Sequence, residues 1–420
     1  MRILFLTDNF PPETNAAATR VFERACYWAR WGHEVTVLTS APNFPEGRLH
    51  EGYRNRWYQR EKFEGLDVVR VKTLIAPNRG VRMRILDFMS YMASASVVGA
   101  FMRRPDLIVA TSPQFFCAVA GSNLAHLKRV PFVFELADLW PASIRAVGAI
   151  KNGPLLRAVE RLELRLYRRS SAVVALTDSF RKDLIQRGVP AEKIAVVRNG
   201  VDLSRHTVKP RSCDLAEQLG VKGKFVVGYI GTHGLAHDLG NVLDAAELTA
   251  SRKDIAFLLV GNGADRARLV EEAQRRGLSN VVLMPAVPKS EVGEYSALCD
   301  LALVHLKNDP VFKTVIPSKM FEAMAYAKPI LMVSPHGEAA ELLENSGAGV
   351  WVPAAEPAAL AEQVIQLADD PLRRQVLSET SRQCAPRFSR ERQAREMADV
   401  LERVRQGKPA HAPETVRVAR

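Results

Sequence analysis

One segment in the second half of the chain combines residue types that suit a charged nucleotide. It runs from Pro317 to Ala325, and its pattern predicts a helix whose N-cap is Ser318. A helix N-terminus offers free amide groups and a positive dipole to a phosphate group, and Lys319 adds a full positive charge there. Glu322, one turn further on, suits the two hydroxyls of a ribose. The segment therefore predicts a nucleotide diphosphate site, with ordinary charges on a solvated helix surface as the alternative.

Two glycine-bearing turns upstream are candidates for the rest of this site. Gly231 and Thr232 follow one apolar run, and Gly261, Asn262 and Gly263 follow the next. Tight turns need such glycines whether or not a ligand binds, so their presence does not separate the two interpretations. His237, in the loop after Gly231, is a candidate ligand contact, and an ordinary loop histidine explains it as well.

Familiar cofactor and metal signatures are absent from the sequence. The first strand-to-helix turn, residues 8–20, contains no glycine, and Arg266 occupies the place of the third glycine of a dinucleotide fingerprint. The chain also lacks G-x-x-x-x-G-K-[ST], H-E-x-x-H and D-x-D. We therefore expect neither a nicotinamide cofactor nor a required metal ion.

The elements that must position these residues alternate between short β-branched runs and helical stretches. Seven such runs lie between Ile3 and Arg198, and six more lie between Phe225 and Val352. Continuous apolar runs are typical of parallel strands buried on both faces, and their alternation with helices indicates doubly wound α/β domains. We therefore expect two Rossmann-like domains, residues 1–204 and 205–388, in agreement with a length of 420 residues.

The end of the chain has a different pattern. Apolar residues at helical spacing between Met397 and Val404 predict a helix over about 389–406, which we expect to pack back on the first domain. Gly407 is placed to end it. Residues 408–420 lack apolar periodicity and are expected to form a mobile tail.

The charge of the chain calls for an acidic partner, which nucleic acid, anionic lipid or a diphosphate would satisfy. The net charge is +12, and residues 48–104 hold 12 Lys or Arg against 5 Asp or Glu. Within this stretch residues 88–102 carry no charge and are too few for a spanning helix. A helix lying on an anionic membrane fits this pattern as well as a buried helix does. Its expected membrane contacts are Arg82, Arg84, Phe88, Arg103 and Arg104.

Cysteine usage and the N-terminal residues bear on the compartment. The five cysteines are scattered and never form C-x-x-C, which argues against a disulfide framework or a zinc site and favours a reducing environment. The apolar run Ile3 to Leu6 is too short for a signal peptide. We therefore expect a cytoplasmic protein.

Four motifs occur in order along nearly the whole chain. They are Asn199-Gly200-Val201-Asp202, Gly228 to Thr232, Leu259 to Gly263, and Pro317 to Ala325 followed by Lys328-Pro329-Ile330. This ordered set resembles the retaining GT-B glycosyltransferases that include sucrose synthase and bacterial mannosyltransferases. Within that family the chain is most similar to L-fucosamine-type transferases of bacterial O-antigen and capsule assembly. The narrower resemblance rests on Asp8 to Glu13, Ala41 to Pro45, Thr111 to Phe116 and Asp138 to Pro141.

The resemblance implies a GT-B fold, in which two Rossmann-like domains face a central cleft. The first domain would bind the acceptor and the second the nucleotide sugar. The implied reaction transfers a sugar, with retention of anomeric configuration, from a UDP-sugar such as UDP-N-acetyl-L-fucosamine to a sugar on undecaprenyl diphosphate. It implies no cofactor besides this donor substrate, and a peripheral location on the cytoplasmic face of the inner membrane.

The resemblance also implies roles for individual residues. The donor would contact Gly231, Thr232, His237, Gly261, Asn262, Gly263, Pro317, Ser318, Lys319 and Glu322. Lys319 would stabilise the negative charge on the leaving UDP, with Glu322 beside it. Glu135 and Asp138 would orient or deprotonate the acceptor hydroxyl, although Asp138 as a helix cap fits equally well. The expected acceptor contacts near the first loop are Asn15, Arg20 and Asn43.

The chain departs from the family at two points. Thr314 stands eight residues before Glu322, where the family has a second glutamate, and His233 and His237 lie in the loop that usually carries a basic phosphate clamp. Lys319 is therefore expected to carry more of the diphosphate charge. Two alternatives stay open, a UDP-sugar epimerase on the same fold and a non-enzymatic protein that binds membranes or nucleic acid. Aromatic residues at 7% give little sign of nucleic-acid stacking platforms, so we expect no nucleic acid.

Overall fold

The computed structural model describes residues 1–13, 15–44, 47–75, 81–112, 114–139 and 154–411, without the side chains of residues 81–82 and 154–156. Internal contacts divide the chain into unit 1, Met1–Asn199 with Arg390–Arg420, and unit 2, Gly200–Ser389. Each unit is built on a mainly parallel sheet with helices between successive strands. The expected fold class is therefore confirmed.

Unit 1 contains an eight-stranded sheet in the order β3-β4-β2-β1-β5-β6-β7-β8. The strands are β1 (Arg2–Leu6), β2 (Glu34–Ser40), β3 (Tyr58–Phe63), β4 (Leu66–Val71), β5 (Leu107–Thr111), β6 (Phe132–Leu136), β7 (Ala172–Ala175) and β8 (Ile194–Val196). The described helices between them are α1 (Ala16–Arg30), α2 (Val81–Phe101), α3 (Phe115–Lys128), α4 (Pro154–Arg169) and α5 (Asp178–Gln186). Every residue of β5 and β6 is buried, including the polar Thr111 and Glu135 at their carboxyl ends. The edge strand β3 is antiparallel to β4.

Unit 2 contains a six-stranded sheet in the order β11-β10-β9-β12-β13-β14. The strands are β9 (Phe225–Ile230), β10 (Ile255–Val260), β11 (Val281–Met284), β12 (Leu301–His305), β13 (Ile330–Ser334) and β14 (Gly349–Pro353). The helices are α6 (Cys213–Gln218), α7 (Gly240–Leu248), α8 (Arg266–Arg275), α9 (Val292–Leu298), α10 (Ser318–Ala325), α11 (Glu338–Ser346), α12 (Pro357–Asp369) and α13 (Pro371–Cys384). All of these strand pairs are parallel, and the order is that of a dinucleotide-type Rossmann sheet.

The strand order predicts where ligands bind. In open α/β sheets they bind beyond the carboxyl ends of the strands, at the point where the order reverses. This point lies between β9 and β12 in unit 2, and between β1 and β5 in unit 1. Functional side chains are therefore expected in the turns that follow these strands.

The last helix, α14 (Arg390–Arg405), belongs to unit 1. Its apolar face joins the core around α1, the indole nitrogen of Trp28 donates to the carbonyl of Ala394 at 2.8 Å, and Arg390 forms a buried ion pair with Glu23 at 2.8 Å. The start of the expected mobile tail is ordered, because Ala410 is buried and its amide donates to the Glu192 carbonyl at 3.0 Å. Residues 412–420 lie outside the described residues.

Helix α2 is longer than the charge-free run that predicted it, because it begins at Val81 rather than near residue 88. It packs mainly against α3. Within the described part of the chain, no helix combines the length and the apolar character needed to span a bilayer.

Candidate active site

The carboxyl end of β9 in unit 2 leads into a loop that is fastened to the turn after β10. The amide of Gly231 donates to the Val260 carbonyl at 2.8 Å, and the amide of His233 donates to the Asn262 carbonyl at 2.9 Å. A Cβ on Gly261 would lie 1.8 Å from the Gly231 carbonyl oxygen, so this close approach requires glycine. The two glycine-bearing turns named by the sequence are therefore neighbours in the fold.

Lys319 reaches the same place from the first turn of α10. Its ammonium donates to the hydroxyl of Tyr229 and lies 4.1 Å from the centroid of the Tyr229 ring. On the other side, a Cβ on Gly231 would lie 2.1 Å from Cε of Lys319, and the φ of +147° at Gly231 favours glycine as well. Burial lowers the pKa of Lys319 to about 7, although the charge of Glu322 opposes this shift. The side chain is thus confined, and a bound anion would stabilise its charged form.

Two histidines near Lys319 hold the loop rather than supply charge. The Nδ1 atom of His305, at the end of β12, lies 2.7 Å from the His237 carbonyl, and Nδ1 of His237 lies 3.2 Å from the His305 carbonyl. Carbonyls only accept, so each Nδ1 carries the proton. Burial, reinforced by Lys319, lowers the pKa of His237 to about 3. His237 is therefore neutral at pH 7, and its Nε2 can only accept a hydrogen bond. It cannot donate a hydrogen bond to a phosphate through this atom, but it can accept one from a sugar or ribose hydroxyl.

His233 has a different environment. Its side chain has no exposed surface, and neither ring nitrogen has a hydrogen-bond partner among the described residues. Burial and the nearby Lys319 lower its pKa to about 4. Because the ring reaches no solvent-accessible space, it contributes to loop packing, next to the Tyr229 ring at 5.9 Å.

Glu322 lies one helical turn beyond Lys319, and both line one pocket in unit 2. Tyr326, the residue that follows α10, and Ser296 of α9 line the pocket too. The helix begins at Ser318 itself, with Pro317 as the capping residue and no side-chain cap, so the expected capping role of Ser318 is wrong. The expected pairing of a cation and a carboxylate on one face of α10 is present.

The carboxyl end of β6 in unit 1 carries Glu135, whose environment disagrees with the role of a base. It has no exposed surface, and its Oε1 lies 2.7 Å from Arg24 and 3.4 Å from Arg20, both in α1. Burial alone would raise the pKa of Glu135, but the two guanidinium groups hold it at about 2. A carboxylate this acidic and enclosed accepts no proton from a hydroxyl near pH 7. We correct its expected catalytic role to that of positioning Arg20 and Arg24.

Asp138 follows β6 and is half-buried. Its backbone amide and that of Ala137 donate to the Ser112 hydroxyl at 3.3 and 2.7 Å, which joins the turns after β5 and β6. Burial raises the pKa of Asp138 to about 6, against the opposing charge of Arg20. This value suits a general base near neutral pH. The residues that it would cap, with Trp140 and Pro141, lie outside the described residues.

The three expected acceptor contacts each make hydrogen bonds within unit 1. Asn15 caps α1 by accepting from the Ala18 amide at 2.8 Å, and it donates to Asn9 at 2.7 Å. Arg20 is buried and donates to the Thr111 hydroxyl at 3.1 Å. The backbone amide of Asn43 donates to Glu13 at 2.8 Å. Acceptor contact by these residues stays a prediction.

Three residues of these sites escaped the sequence reasoning. Tyr229 supports Lys319, Arg24 neutralises Glu135, and Glu13 ties the first loop to the segment after β2. Arg24 could have been found, because it stands one helical turn after Arg20 on the same face of α1. Nothing in the sequence around Tyr229 distinguishes it from a core aromatic residue.

Comparison with protein-family models divides the chain at the same region as the fold. Residues 15–200 match a glycosyl transferase 4-like domain, and residues 214–384 match the glycosyl transferases group 1 domain. Together the two matches span more than four fifths of the 420 residues.

The chain belongs to the glycosyltransferase family that combines these two domains.

Two related sequences carry names that refer to the biosynthesis of bacterial polysaccharides. A putative colanic acid biosynthesis glycosyl transferase of Escherichia coli, WcaI, is 27% identical over 355 residues, which cover 82% of this glycosyltransferase and 86% of WcaI. A putative teichuronic acid biosynthesis glycosyltransferase of Bacillus subtilis, TuaH, is 28% identical over 201 residues, or 47% of this chain and 49% of TuaH. Among solved structures, Anabaena HepE in complex with UDP superposes with a TM-score of 0.72 at 21% identity, over 96% of this chain and 100% of HepE. The structural likeness agrees with the GT-B fold.

The surface of unit 1 in this glycosyltransferase includes an apolar strip on α2. Met83, Leu86, Val97 and Phe101 lie on one face of the helix and are between 43% and 89% exposed. The exposed side chains of Arg84 and Arg103 flank it, and Arg104 follows the helix. Phe88 lies outside this strip and is half-buried, with the Arg84 guanidinium 5.6 Å from its ring centroid. Membrane contact by Phe88 stays a prediction. The side chain of Arg82 is not among those described.

Proposed function

We propose that this glycosyltransferase transfers a sugar from a UDP-sugar to a lipid-linked sugar during assembly of a bacterial surface polysaccharide. The observation that carries the donor half is the joint placement of Lys319 and Glu322 on one pocket beside the switch point of the unit 2 sheet. The names of the relatives, which concern colanic and teichuronic acids, support the polysaccharide half.

The arrangement suits the chemistry of nucleotide-sugar cleavage. Breaking the bond between the sugar and the diphosphate leaves negative charge on UDP, and a preorganised cation stabilises that charge in the transition state. Lys319 is the confined cation here, and the amides at the start of α10 add their dipole. Glu322 accepts hydrogen bonds from ribose hydroxyls. Because the neutral His237 adds no charge, Lys319 carries the diphosphate charge that a basic loop carries in other family members.

UDP is the proposed nucleotide, because the structurally similar HepE was solved in complex with UDP and with UDP-glucose. The resemblance to L-fucosamine-type transferases extends the proposal to an N-acetylated 6-deoxy sugar and to retention of anomeric configuration. No metal-binding group of three or more His, Cys, Asp or Glu side chains occurs among the described residues. The proposed donor chemistry uses residues of the chain itself.

On the acceptor side, we propose Asp138 as the group that deprotonates or orients the acceptor hydroxyl. Its carboxylate lies at the carboxyl end of β6, near the charge of Arg20, and its raised pKa suits proton transfer. Glu135 contributes indirectly, because it fixes Arg20 in place at 3.4 Å.

We further propose that the apolar strip of α2 rests on the anionic cytoplasmic face of the inner membrane, where an undecaprenyl-diphosphate-linked acceptor is held. Exposed Phe101 and Val97, at 89% and 61%, would enter the headgroup boundary, and the flanking arginines would meet acidic lipids. The segment after β4 continues this surface, since the amide of Leu74 donates to the Ser90 hydroxyl of α2 at 2.7 Å. Leu74 is 43% exposed.

Nucleotide binding tests the donor half. Thermal unfolding is followed with UDP, GDP, ADP or NAD for the wild type, Glu322→Ala and the control Glu362→Ala, an exposed glutamate on α12. UDP at one hundred times its Kd adds about 2.7 kcal/mol to the free energy of unfolding, so the wild type and the control should shift by several degrees. Equal responses of wild type and Glu322→Ala, or a response to NAD alone, would contradict the proposed site.

Co-sedimentation with vesicles tests the membrane half. The wild type should bind vesicles that contain anionic lipid, and Phe101→Glu with Val97→Glu should abolish this binding. Leu372→Glu, at a position that is 75% exposed on α13, serves as the matched control. Vesicle binding that survives the α2 changes, or no binding by the wild type at low salt, would contradict the proposed docking surface.

A further inference from the structure

Tyr229 connects the glycine loop after β9 to the lysine of α10. It has no exposed surface, and its hydroxyl donates to the Thr232 carbonyl at 2.8 Å. The same hydroxyl oxygen accepts from the Lys319 ammonium, which also lies 4.1 Å from the ring centroid. One side chain thus contacts both the loop after β9 and the lysine of α10.

We propose that Tyr229 is a positioning residue that holds the Lys319 ammonium charged and aimed at the donor diphosphate. This inference rests on the proposed function, and it names a residue to which that function assigns no role. Tyr229 acts through Lys319 and makes no contact with the sugar.

The geometry fixes the direction of the hydroxyl. A tyrosine hydroxyl has one hydrogen, and here the carbonyl of Thr232 accepts it. The oxygen lone pairs are therefore left for the ammonium, which suits the charged lysine better than the neutral amine. The ring face adds a cation–π attraction, and Gly231 closes the other side. A flexible lysine is thereby confined before any ligand arrives.

The other titratable groups around Lys319 do not substitute for Tyr229. Glu322, on the same helix, is the one acid among the described groups whose charge raises its pKa. His233, His237 and His305 approach from the loop and from β12, and burial keeps the pKa of each at about 4 or below. All three are neutral at pH 7, so Lys319 is the group of this set that changes charge near neutrality.

The consequence is a specific pH dependence. Binding of a diphosphate needs the charged lysine, and the apparent Kd rises as the charged fraction falls. Loss of the Tyr229 hydroxyl removes a hydrogen bond to the charged form, which lowers the pKa of Lys319 by about one unit. The affinity of Tyr229→Phe for UDP should therefore be less than about twofold weaker than that of the wild type at pH 6, and about tenfold weaker at pH 8.

The first experiment needs no nucleotide. Trace acetylation of the lysines is followed by mass spectrometry between pH 5 and 11, in the wild type, in Tyr229→Phe and in the control Tyr91→Phe. The control removes another buried hydroxyl, which donates to the Leu38 carbonyl at 2.8 Å in unit 1. The midpoint for Lys319 should lie near 7 in the wild type and the control, and about one unit lower in Tyr229→Phe.

The outcomes separate this inference from the proposed function. An unchanged midpoint in Tyr229→Phe, or faster acetylation at every pH without a shift, overturns the positioning role. If circular dichroism shows that Tyr229→Phe does not fold, the wild-type titration decides, and a midpoint at the ordinary lysine value near 10.5 overturns the inference. UDP titrations by calorimetry then test the donor link. A shifted Lys319 midpoint in a protein that binds no UDP leaves the positioning geometry intact and contradicts the proposed donor.

Discussion

Replacement of Lys319 by methionine should stabilise the ligand-free protein while it abolishes donor binding. The side chain of Lys319 is confined between Tyr229 and Gly231, and burial lowers its pKa from 10.5 to about 7. At 1.36 kcal/mol per pKa unit, this shift sets an upper limit of about 5 kcal/mol on the cost of keeping the charge in the folded state. Methionine retains most of the packed alkyl chain and removes the charge.

The net gain is smaller than this limit, because Tyr229 loses a hydrogen bond to a charged group that is worth about 1.5 to 3 kcal/mol. We therefore expect Lys319→Met to raise the free energy of unfolding of unit 2 by about 1 to 3 kcal/mol at pH 7. For a unit of this size the melting temperature should rise by about 3 to 10 °C. UDP, which stabilises the wild type, should have no effect on the variant.

The stability of the wild type depends on pH through Lys319. Between pH 7 and 10.5 the unfolded chain holds the Lys319 proton more firmly than the folded chain does, so the stability of the wild type rises with pH in this window. The advantage of Lys319→Met should therefore shrink by about 1.36 kcal/mol per pH unit above pH 7.

Urea unfolding at pH 7.0 and 9.5 measures this difference. Lys253→Met, at an exposed position, is the control, and it should change the free energy of unfolding by less than about 0.5 kcal/mol. A Lys319→Met protein that is less stable than the wild type at pH 7, or an advantage that does not change with pH, would refute the reasoning.

Three further predictions follow from the same contacts. Glu322→Gln keeps the shape of the side chain but weakens its hydrogen bonds to ribose hydroxyls, so the affinity for UDP measured by calorimetry should fall about tenfold. If the affinities for UDP and for isolated diphosphate fall equally, Glu322 does not contact the ribose. Glu135→Gln leaves Arg24 and Arg20 without their buried counter-charge and should destabilise unit 1 by about 3 to 5 kcal/mol in urea unfolding. Unchanged stability together with lost turnover would instead support a catalytic role for Glu135. Activity that depends on ionised Asp138 should fall as the pH drops through about 6. Asp138→Asn should lower kcat at pH 7 by at least about a hundredfold and remove this pH dependence. An Asn variant with the wild-type pH profile would exclude Asp138 as the base.

The sequence predicted the two sheets well because their strands are buried on both faces. β10 is apolar from end to end, and β5, β6 and β13 each contain one polar residue in an otherwise apolar run, a pattern typical of covered parallel strands. The edge strand β3 escaped, because its alternation of charged residues in a basic stretch is typical of a loop as well. Its position beside β4 depends on antiparallel pairing with one neighbour, which composition does not encode.

The candidate site was predictable in part for a similar reason. Lys319 and Glu322 stand three positions apart at the start of a helix, and a local pattern predicts that arrangement. The partners that set their chemistry lie far away in sequence, such as Tyr229 for Lys319 and Arg24 for Glu135. Glu135 and Asp138 illustrate the limit, since two carboxyls that follow the same strand differ in pKa by about four units because one is paired and the other is not.

Sugar transfer by the purified protein tests the central claim most directly. The protein is incubated with a panel of UDP-sugars and a polyprenyl-diphosphate-linked sugar, and products are identified by mass spectrometry beside Glu322→Ala. The proposed function predicts a lipid product heavier by one sugar residue, equimolar UDP, and loss of both in the variant. A UDP-sugar converted to its epimer without lipid product would support the epimerase alternative. A folded, UDP-binding protein that modifies neither substrate would contradict the proposed transfer.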